Sequence, residues 1–338
     1  MSVAVVIIAK NEERSIRRCI ESFKPFVNEV VVVDTGSHDK TITIARELEV
    51  KIFNFPWEND FSRARNYALD QSSSKFNIIV DADEWLISGG SDILQISKQL
   101  NGLAGQVQII NSFTNKEKIE HTSEWITRYL PHHIRYIGAV HERPDHDLKV
   151  VRTPLIFGHD GYEKSQLLKK QSRNRVILEE CLRSSPDNPY YTYQLGKEYE
   201  NSEDYEEASI LYERALKIVP KEQSYRHDLV VRSIFTFKMA KKFSNIFSLS
   251  SELEFPNSPD FFFVLGDALL DYALFNPSRA VEFLPLIENS WKTCLSIGEN
   301  IDLPSTVIGR GSFLAAENLS IFYQITGEQE KEKYYRDL

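Results

Sequence analysis

The run Phe76-Asn77-Ile78-Ile79-Val80 stops abruptly at Asp81-Ala82-Asp83-Glu84-Trp85. A short, unbroken apolar run rich in branched side chains is the signature of a strand buried on both faces, which is the habit of parallel sheets. In open α/β sheets the crevice beyond the carboxyl ends of the strands is where ligands bind, so Asp81 and Asp83 are expected at a functional position. Side chains alternate along an extended chain, so acids two residues apart can point the same way and share one cation, most naturally one that holds a diphosphate. The competing reading is a polar turn in which Asp83 caps a following helix.

The segments before this strand repeat one plan. Val3-Ala4-Val5-Val6-Ile7-Ile8-Ala9 reads as a first buried strand. Asn11 then stands ready to cap a helix whose apolar residues Ile16, Cys19, Ile20 and Phe23 fall at i, i+3, i+4 and i+7. Val30 to Val33 make a second strand, ending at Asp34-Thr35-Gly36-Ser37, where Gly36 permits a tight turn. A helix over 39–49 leads to a third strand over 51–55, which Pro56 stops. The helix through Phe61-Ser62-Arg63-Ala64-Arg65-Asn66-Tyr67-Ala68-Leu69 is predicted to bury Phe61, Ala64, Ala68 and Leu69, with its arginines on the polar side and one of them able to reach a phosphate bidentately. Strand and helix alternating in this way predict a doubly wound α/β sheet. Residues 91–100 add a helix, and from Gly105 onward short alternating segments (106–110, 124–130, 134–140 and 148–156) suit antiparallel or mixed strands added to that sheet. There Gly138-Ala139-Val140-His141-Glu142 and His159-Asp160-Gly161-Tyr162 each present a histidine beside a carboxylate.

Bulk composition narrows the partners. The chain has 338 residues, room for two domains of ordinary size, and 40 basic against 49 acidic residues. A net charge of −9 argues against a nucleic-acid surface. No apolar run is long enough to span a bilayer, and the opening residues read as a strand and not a leader. Cys19, Cys181 and Cys294 form no metal-type pair, which fits a reducing, cytoplasmic setting.

Six blocks in order, VVIIAKNEE, VVVDTGSHDKT, FSRARNYAL, IIVDADE, GAVHE and HDGY, resemble family 2 glycosyltransferases of the GT-A, Rossmann-like fold. The resemblance is nearest to the branch with C-terminal tetratricopeptide-like helices that includes the bacterial peptide S- and O-glycosyltransferases of bacteriocins. It implies a UDP-sugar donor, with Asp34 on the uracil, Ala9, Asn11 and Glu12 along the wall of that pocket, and Arg65 and Asn66 beneath the diphosphate. It also implies a divalent metal, Mn²⁺ or Mg²⁺, on Asp81 and Asp83 with Ala82 between them, completed by His159. Glu142 and His141 fall on the acceptor side as candidate bases. Relatives often show two arginines three apart before the G-x-V-H-E block; here Arg128 is followed by Tyr129, Leu130 and Pro131, which leaves Arg135 as the possible substitute.

The division expected is a catalytic GT-A domain over 1–168 and an all-α tetratricopeptide-like domain over 169–338. Residues 189–220 fit one such unit, with Leu195-Gly196, Tyr199, Ala208, Tyr212, Ala215 and Pro220 at the offsets of a repeat about 34 residues long. Weaker echoes stand at Leu265-Gly266 and over 319–335, with Gly327 at a turn and Phe261, Phe262, Phe263 and Trp291 as packing. Stacked helix pairs make concave surfaces suited to a peptide acceptor or to a second copy in a homodimer. The function expected is inverting transfer of a hexose, glucose or N-acetylglucosamine, to Cys or Ser of a bacteriocin-type peptide. A cell-surface glycan acceptor, a nucleotidyltransferase and a non-catalytic scaffold are the alternatives.

Overall fold

The computed structural model describes residues 2–100, 102–115, 118–159, 164–251, 254–303 and 305–338, without the side chains of 113–120, 164–172 and 251. The chain divides into two compact units, Met1–Lys170 and Gln171–Leu338.

In the first unit β1 (Val3–Ala9), α1 (Ile16–Phe23), β2 (Glu29–Asp34), α2 (Thr41–Glu47), β3 (Lys51–Asn54), α3 (Phe61–Asp70) and β4 (Phe76–Asp81) follow one another as the alternation predicts. β3, β2, β1 and β4 lie side by side and parallel. Because successive residues face opposite sides, Val3, Val5 and Ile7 of β1 pack with Ile16, Cys19, Ile20 and Phe23 of α1, while Ala4 and Val6 pack with Ala68 and Leu69 of α3. This double burial is why the strands read as continuous apolar runs.

After β4 the helix cap of the competing reading is absent. Residues 82–83 turn the chain into a further strand, β5 (Glu84–Ser88). α4 (Ile93–Gln99) precedes β6 (Leu103–Asn115) and β7 (Lys118–Pro131), a long antiparallel pair, and β10 (Lys149–His159) closes the series. The sheet runs β3-β2-β1-β4-β7-β6-β10-β5. β7 is antiparallel to β4, β10 parallel to β6, and β5 antiparallel to β10, so the added strands are mixed, as their alternating pattern suggests. The segment expected to be a strand over 134–140 is shorter: β8 (Arg135–Ile137) pairs only with β9 (Arg143–Asp145), and His141 and Glu142 lie in the loop between them. The first unit is thus a mixed-sheet α/β architecture, and an α-helical region follows it.

The second unit contains α6 (Pro189–Asn201) and α7 (Tyr205–Ile218), following α5 (Lys164–Ser184), then α8 (Arg226–Met239), α9 (Phe243–Ser251), α10 (Pro259–Phe275), α11 (Ala280–Ile297), α12 (Phe313–Thr326) and α13 (Gln329–Arg336). α6 and α10 share a construction. Asn188 and Ser258 cap them through side-chain oxygens, and Pro189 and Pro259 occupy the first turn, where a missing N–H costs nothing. Gly196 and Gly266, 70 residues apart, sit at the same place in each helix. An added Cβ at Gly196 would stand 2.5 Å from Tyr212 of α7, and at Gly266 2.6 Å from Trp291 of α11. Glycine is therefore selected by close helix contact and not by backbone freedom.

Gly196→Ala tests this. Helix propensity alone would stabilise the protein by about 1 kcal/mol, but the Tyr212 ring is fully buried and cannot retreat. Overpacking of about 1–3 kcal/mol should win, lowering the urea midpoint. Tyr212→Leu in the same chain should remove most of that penalty.

Candidate active site

Pairing of β1 with β2 sets Ala9 opposite Asp34 and brings two strand ends together. Beyond them the loops interlock: the Asn11 amide N–H donates to Ser37 Oγ at 2.9 Å, the His38 N–H to Asn11 Oδ1 at 2.8 Å, and the Glu12 N–H to Thr41 Oγ1 at 2.7 Å. The Asp34 carboxylate accepts N–H groups from Gly36 and Ser37 at 3.1–3.2 Å, a turn made possible by φ +107° at Gly36. Ala9, Asn11, Glu12 and Asp34 therefore lie together at and beyond the carboxyl ends of β1 and β2. A carboxylate has about four lone-pair sites, so Asp34 retains acceptor capacity.

Asp81 and Asp83 turn to different partners. At the end of β4, Asp81 receives Arg65 Nη2 on Oδ1 at 2.6 Å and Arg128 Nη2 on Oδ2 at 2.7 Å. Burial would raise its pKa, but the Arg128 and Arg65 guanidiniums outweigh burial and hold it well below the usual carboxylate range. Arg128 Nη2 also reaches Glu84 Oε1 at 3.2 Å, and Glu84 Oε2 accepts the Asp81 N–H at 2.8 Å. Glu84 is pushed up to about 7, chiefly by burial, against the pull of Arg128 and with the added repulsion of Asp81. On the other side Arg65 Nε donates to Glu142, which fixes that loop carboxylate against α3. The result is a chain of alternating charge, Glu142, Arg65, Asp81, Arg128 and Glu84.

The burial of Arg65, at 6% exposure, corrects the expectation that the arginines of this helix lie on its polar side; only Arg63 does, paired with Glu58. Buried Arg65 is stable because acids from β4 and the β8–β9 loop surround it. Arg65 Nη1, which carries two N–H groups, and Arg128 Nε, which carries one, are buried without a hydrogen-bond partner among the described residues. Asn66 uses both ends of its amide on the main chain of Tyr136, at 2.9 and 2.7 Å, and so positions β8. Arg135 does not substitute for the missing arginine: its guanidinium is held by Asp70 at 2.6 Å and by the carbonyls of His132 and Ile134.

Asp83 meets His159 through the sheet. β5 pairs with β10 so that Glu84 stands opposite His159 and Trp85 opposite Gly158, which sets Asp83, one residue earlier, beside the imidazole. Asp83 Oδ2 lies 3.4 Å from His159 Nε2, and His159 Nδ1 lies 2.7 Å from Asn111 Oδ1. Burial lowers the His159 pKa, but the hydrogen bond and charge of Asp83 outweigh it, and the net shift is upward. Asp160, Gly161 and Tyr162 lie outside the described residues. Among the described residues no group of three or more His, Cys, Asp and Glu side chains is placed to hold a metal ion. His141, at φ +50°, occupies the same loop as Glu142.

Sequence reasoning did not assign Arg128, Glu84 or Asn111 to the site. Arg128 had a signal, as a lone charge in the strand Trp125-Ile126-Thr127-Arg128-Tyr129-Leu130. Glu84 and Asn111 had none, because their roles depend on strand neighbours distant in sequence.

Residues 4–89, from the second residue of β1 to just past β5, match the model for glycosyl transferase family 2. The chain is similar to the SPbeta prophage-derived glycosyltransferase SunS of Bacillus subtilis, with 28% identity covering 65% of this chain and 54% of that one. It is equally similar to a TPR repeat-containing protein of Synechococcus elongatus, with 28% identity covering 68% of this chain and 60% of the other. A crystal structure of glucosyl-3-phosphoglycerate synthase from Mycobacterium tuberculosis, in complex with Mn²⁺, UDP and phosphoglyceric acid, aligns at 24% identity over 32% of this chain and 43% of that one, with a TM-score of 0.27. The chain spans just over half the length of the two curated relatives named. No helix among the described residues is long and apolar enough to cross a membrane. The match to the glycosyl transferase family 2 model falls wholly within the amino-terminal unit.

Proposed function

We propose that the chain is an inverting, metal-dependent glycosyltransferase that moves a hexose, glucose or N-acetylglucosamine, from a UDP-sugar to a cysteine or serine of a peptide acceptor. The observation that supports this reading most is the meeting of Asp83 and His159 at the strand ends of a family 2 domain. Their donor atoms stand 3.4 Å apart, close to the spacing of two ligands each about 2.1 Å from one ion. A carboxylate oxygen with an imidazole nitrogen suits Mn²⁺ better than Mg²⁺. Such an ion, when bound, would neutralise the charge that builds on the departing diphosphate. Asp83 and His159 would hold it, with diphosphate oxygens and water as the remaining ligands.

The other residues then take roles that their positions permit. The wall of Ala9, Asn11, Glu12 and Asp34 receives the uracil. Arg65 and Arg128 supply buried positive charge beneath the diphosphate. Asp81 and Ala82 shape the turn between them, Asp81 by orienting both guanidiniums. In the transfer, a bond forms between the acceptor oxygen or sulfur and the anomeric carbon. The bond from that carbon to the diphosphate breaks, its electron pair stays on the leaving oxygen, and the acceptor proton passes to Glu142, with His141 as the second candidate.

The test is to incubate the chain with each UDP-sugar, Mn²⁺ and peptides bearing a single serine or cysteine. UDP release with a hexose added to the peptide is expected, and pyrophosphate release would instead make the protein a nucleotidyltransferase. Glu142→Gln should slow transfer to serine by about 10²–10⁴-fold. It should slow transfer to cysteine less, because some thiolate exists near neutral pH. Unchanged turnover on serine would remove Glu142 from the base role.

A further inference from the structure

We propose that Asn111, steadied by Thr122, is a positioning residue that fixes His159 as its Nδ1–H tautomer and so presents Nε2, beside Asp83, as a ligand atom for a divalent cation. The inference rests on the metal-site reading above and adds to it the element that selects the imidazole's protonation pattern.

The arrangement is a row across the sheet. The β10–β6 register sets His159 beside Asn111, and the β6–β7 register sets Asn111 beside Thr122. Asn111 is 4% exposed, and its Nδ2 donates to Thr122 Oγ1 at 3.2 Å while its Oδ1 faces His159 Nδ1 at 2.7 Å. That separation suits an N–H donating to oxygen; an amide nitrogen facing a ring nitrogen would stand further away. The proton therefore belongs on Nδ1. Neutral imidazole has a single N–H, so Nε2 then presents a lone pair, and it presents it to the Asp83 carboxylate. In the absence of a metal a second proton on Nε2 can bridge the two atoms; in the neutral Nδ1–H ring a bound cation takes that place. The opposite tautomer would place a proton on Nε2, let it donate to Asp83, and close the pair without an ion. Asn111 thus decides between an open ligand pair and a closed hydrogen bond, although it touches neither metal nor substrate.

Two readouts test this, and neither is activity. The first is the ¹⁵N shifts of His159 in the wild-type chain, assigned by comparison with His159→Gln and taken at a pH where the ring is neutral. The Nδ1–H pattern is expected, and an Nε2–H pattern would overturn the proposal whatever any variant does. The second is Mn²⁺ affinity in the presence of UDP, by titration calorimetry or electron paramagnetic resonance, for Asn111→Leu, Asn111→Asp, His159→Ala and Asp83→Ala. Asn111→Leu should bind Mn²⁺ about 10–100-fold more weakly, with circular dichroism showing the fold retained. Asn111→Asp, which keeps an oxygen acceptor towards Nδ1, should stay within a few-fold of wild type. If His159→Ala weakens Mn²⁺ binding but Asn111→Leu does not, this inference fails and the metal site stands. If neither His159→Ala nor Asp83→Ala alters Mn²⁺ binding, the metal-site reading itself fails and takes the inference with it.

Discussion

Asp83→Ala is expected to lower sugar transfer by at least about a hundredfold, because several kcal/mol of leaving-group stabilisation depend on the cation held there. The same variant should lose Mn²⁺-dependent binding of UDP while unfolding close to the wild-type temperature. The stability expectation follows from what Asp83 touches. It belongs to a turn between two strands and faces a histidine whose ring stays buried and hydrogen-bonded to Asn111 when the carboxylate is removed. Asp81→Ala should behave differently although it lies only two residues away. It would leave Arg65 and Arg128 without the carboxylate that orients both, so donor binding should weaken with or without metal. Full activity of Asp83→Ala, or of the wild type in excess chelator, would remove the metal from the mechanism.

The difference between these neighbouring acids marks how far the sequence can be read. The buried strands were legible because an all-apolar run has few other fates, and so was the face of α1, because Ile16, Cys19, Ile20 and Phe23 recur at helical spacing and all lie inside. Strand β5 was not, since Glu84-Trp85-Leu86-Ile87-Ser88 shows no clean alternation and exists by pairing with β10. The burial of Arg65 was hidden for a similar reason: periodicity assigns an arginine to the polar side unless counter-charges meet it, and here they arrive from positions 16 and 77 residues away. The ordered blocks singled out Arg65, Asn66, Asp81 and Asp83. They did not reveal that Asp81 would turn to arginines, Asp83 to an imidazole and Asn66 to the main chain, because those choices are made by register between distant strands.

The largest stability effect is expected at Arg65. Its side chain is nearly inaccessible, and replacing it by methionine keeps much of the volume but leaves Glu142, also buried, without its cation. Breaking a buried pair by removing one partner costs about 3–5 kcal/mol, so Arg65→Met should lower the denaturant midpoint sharply. Neutralising the partner as well, in Arg65→Met with Glu142→Gln, should recover about 1–3 kcal/mol, the coupling expected of side chains in one charge network. The pH dependence has a definite sign. Asp81 is depressed in the fold by Arg128 and Arg65, so its contribution is complete above the ordinary carboxylate range, near pH 4, and is lost as pH falls through that range towards the depressed value. Without Arg65 the depression is smaller and there is less to lose. The gap in stability between wild type and Arg65→Met should therefore be full at neutral pH and narrow on acidification below about pH 4. A gap that stayed constant from pH 7 to pH 3, or a methionine variant as stable as the wild type, would show that the alternating charges do not act as one network.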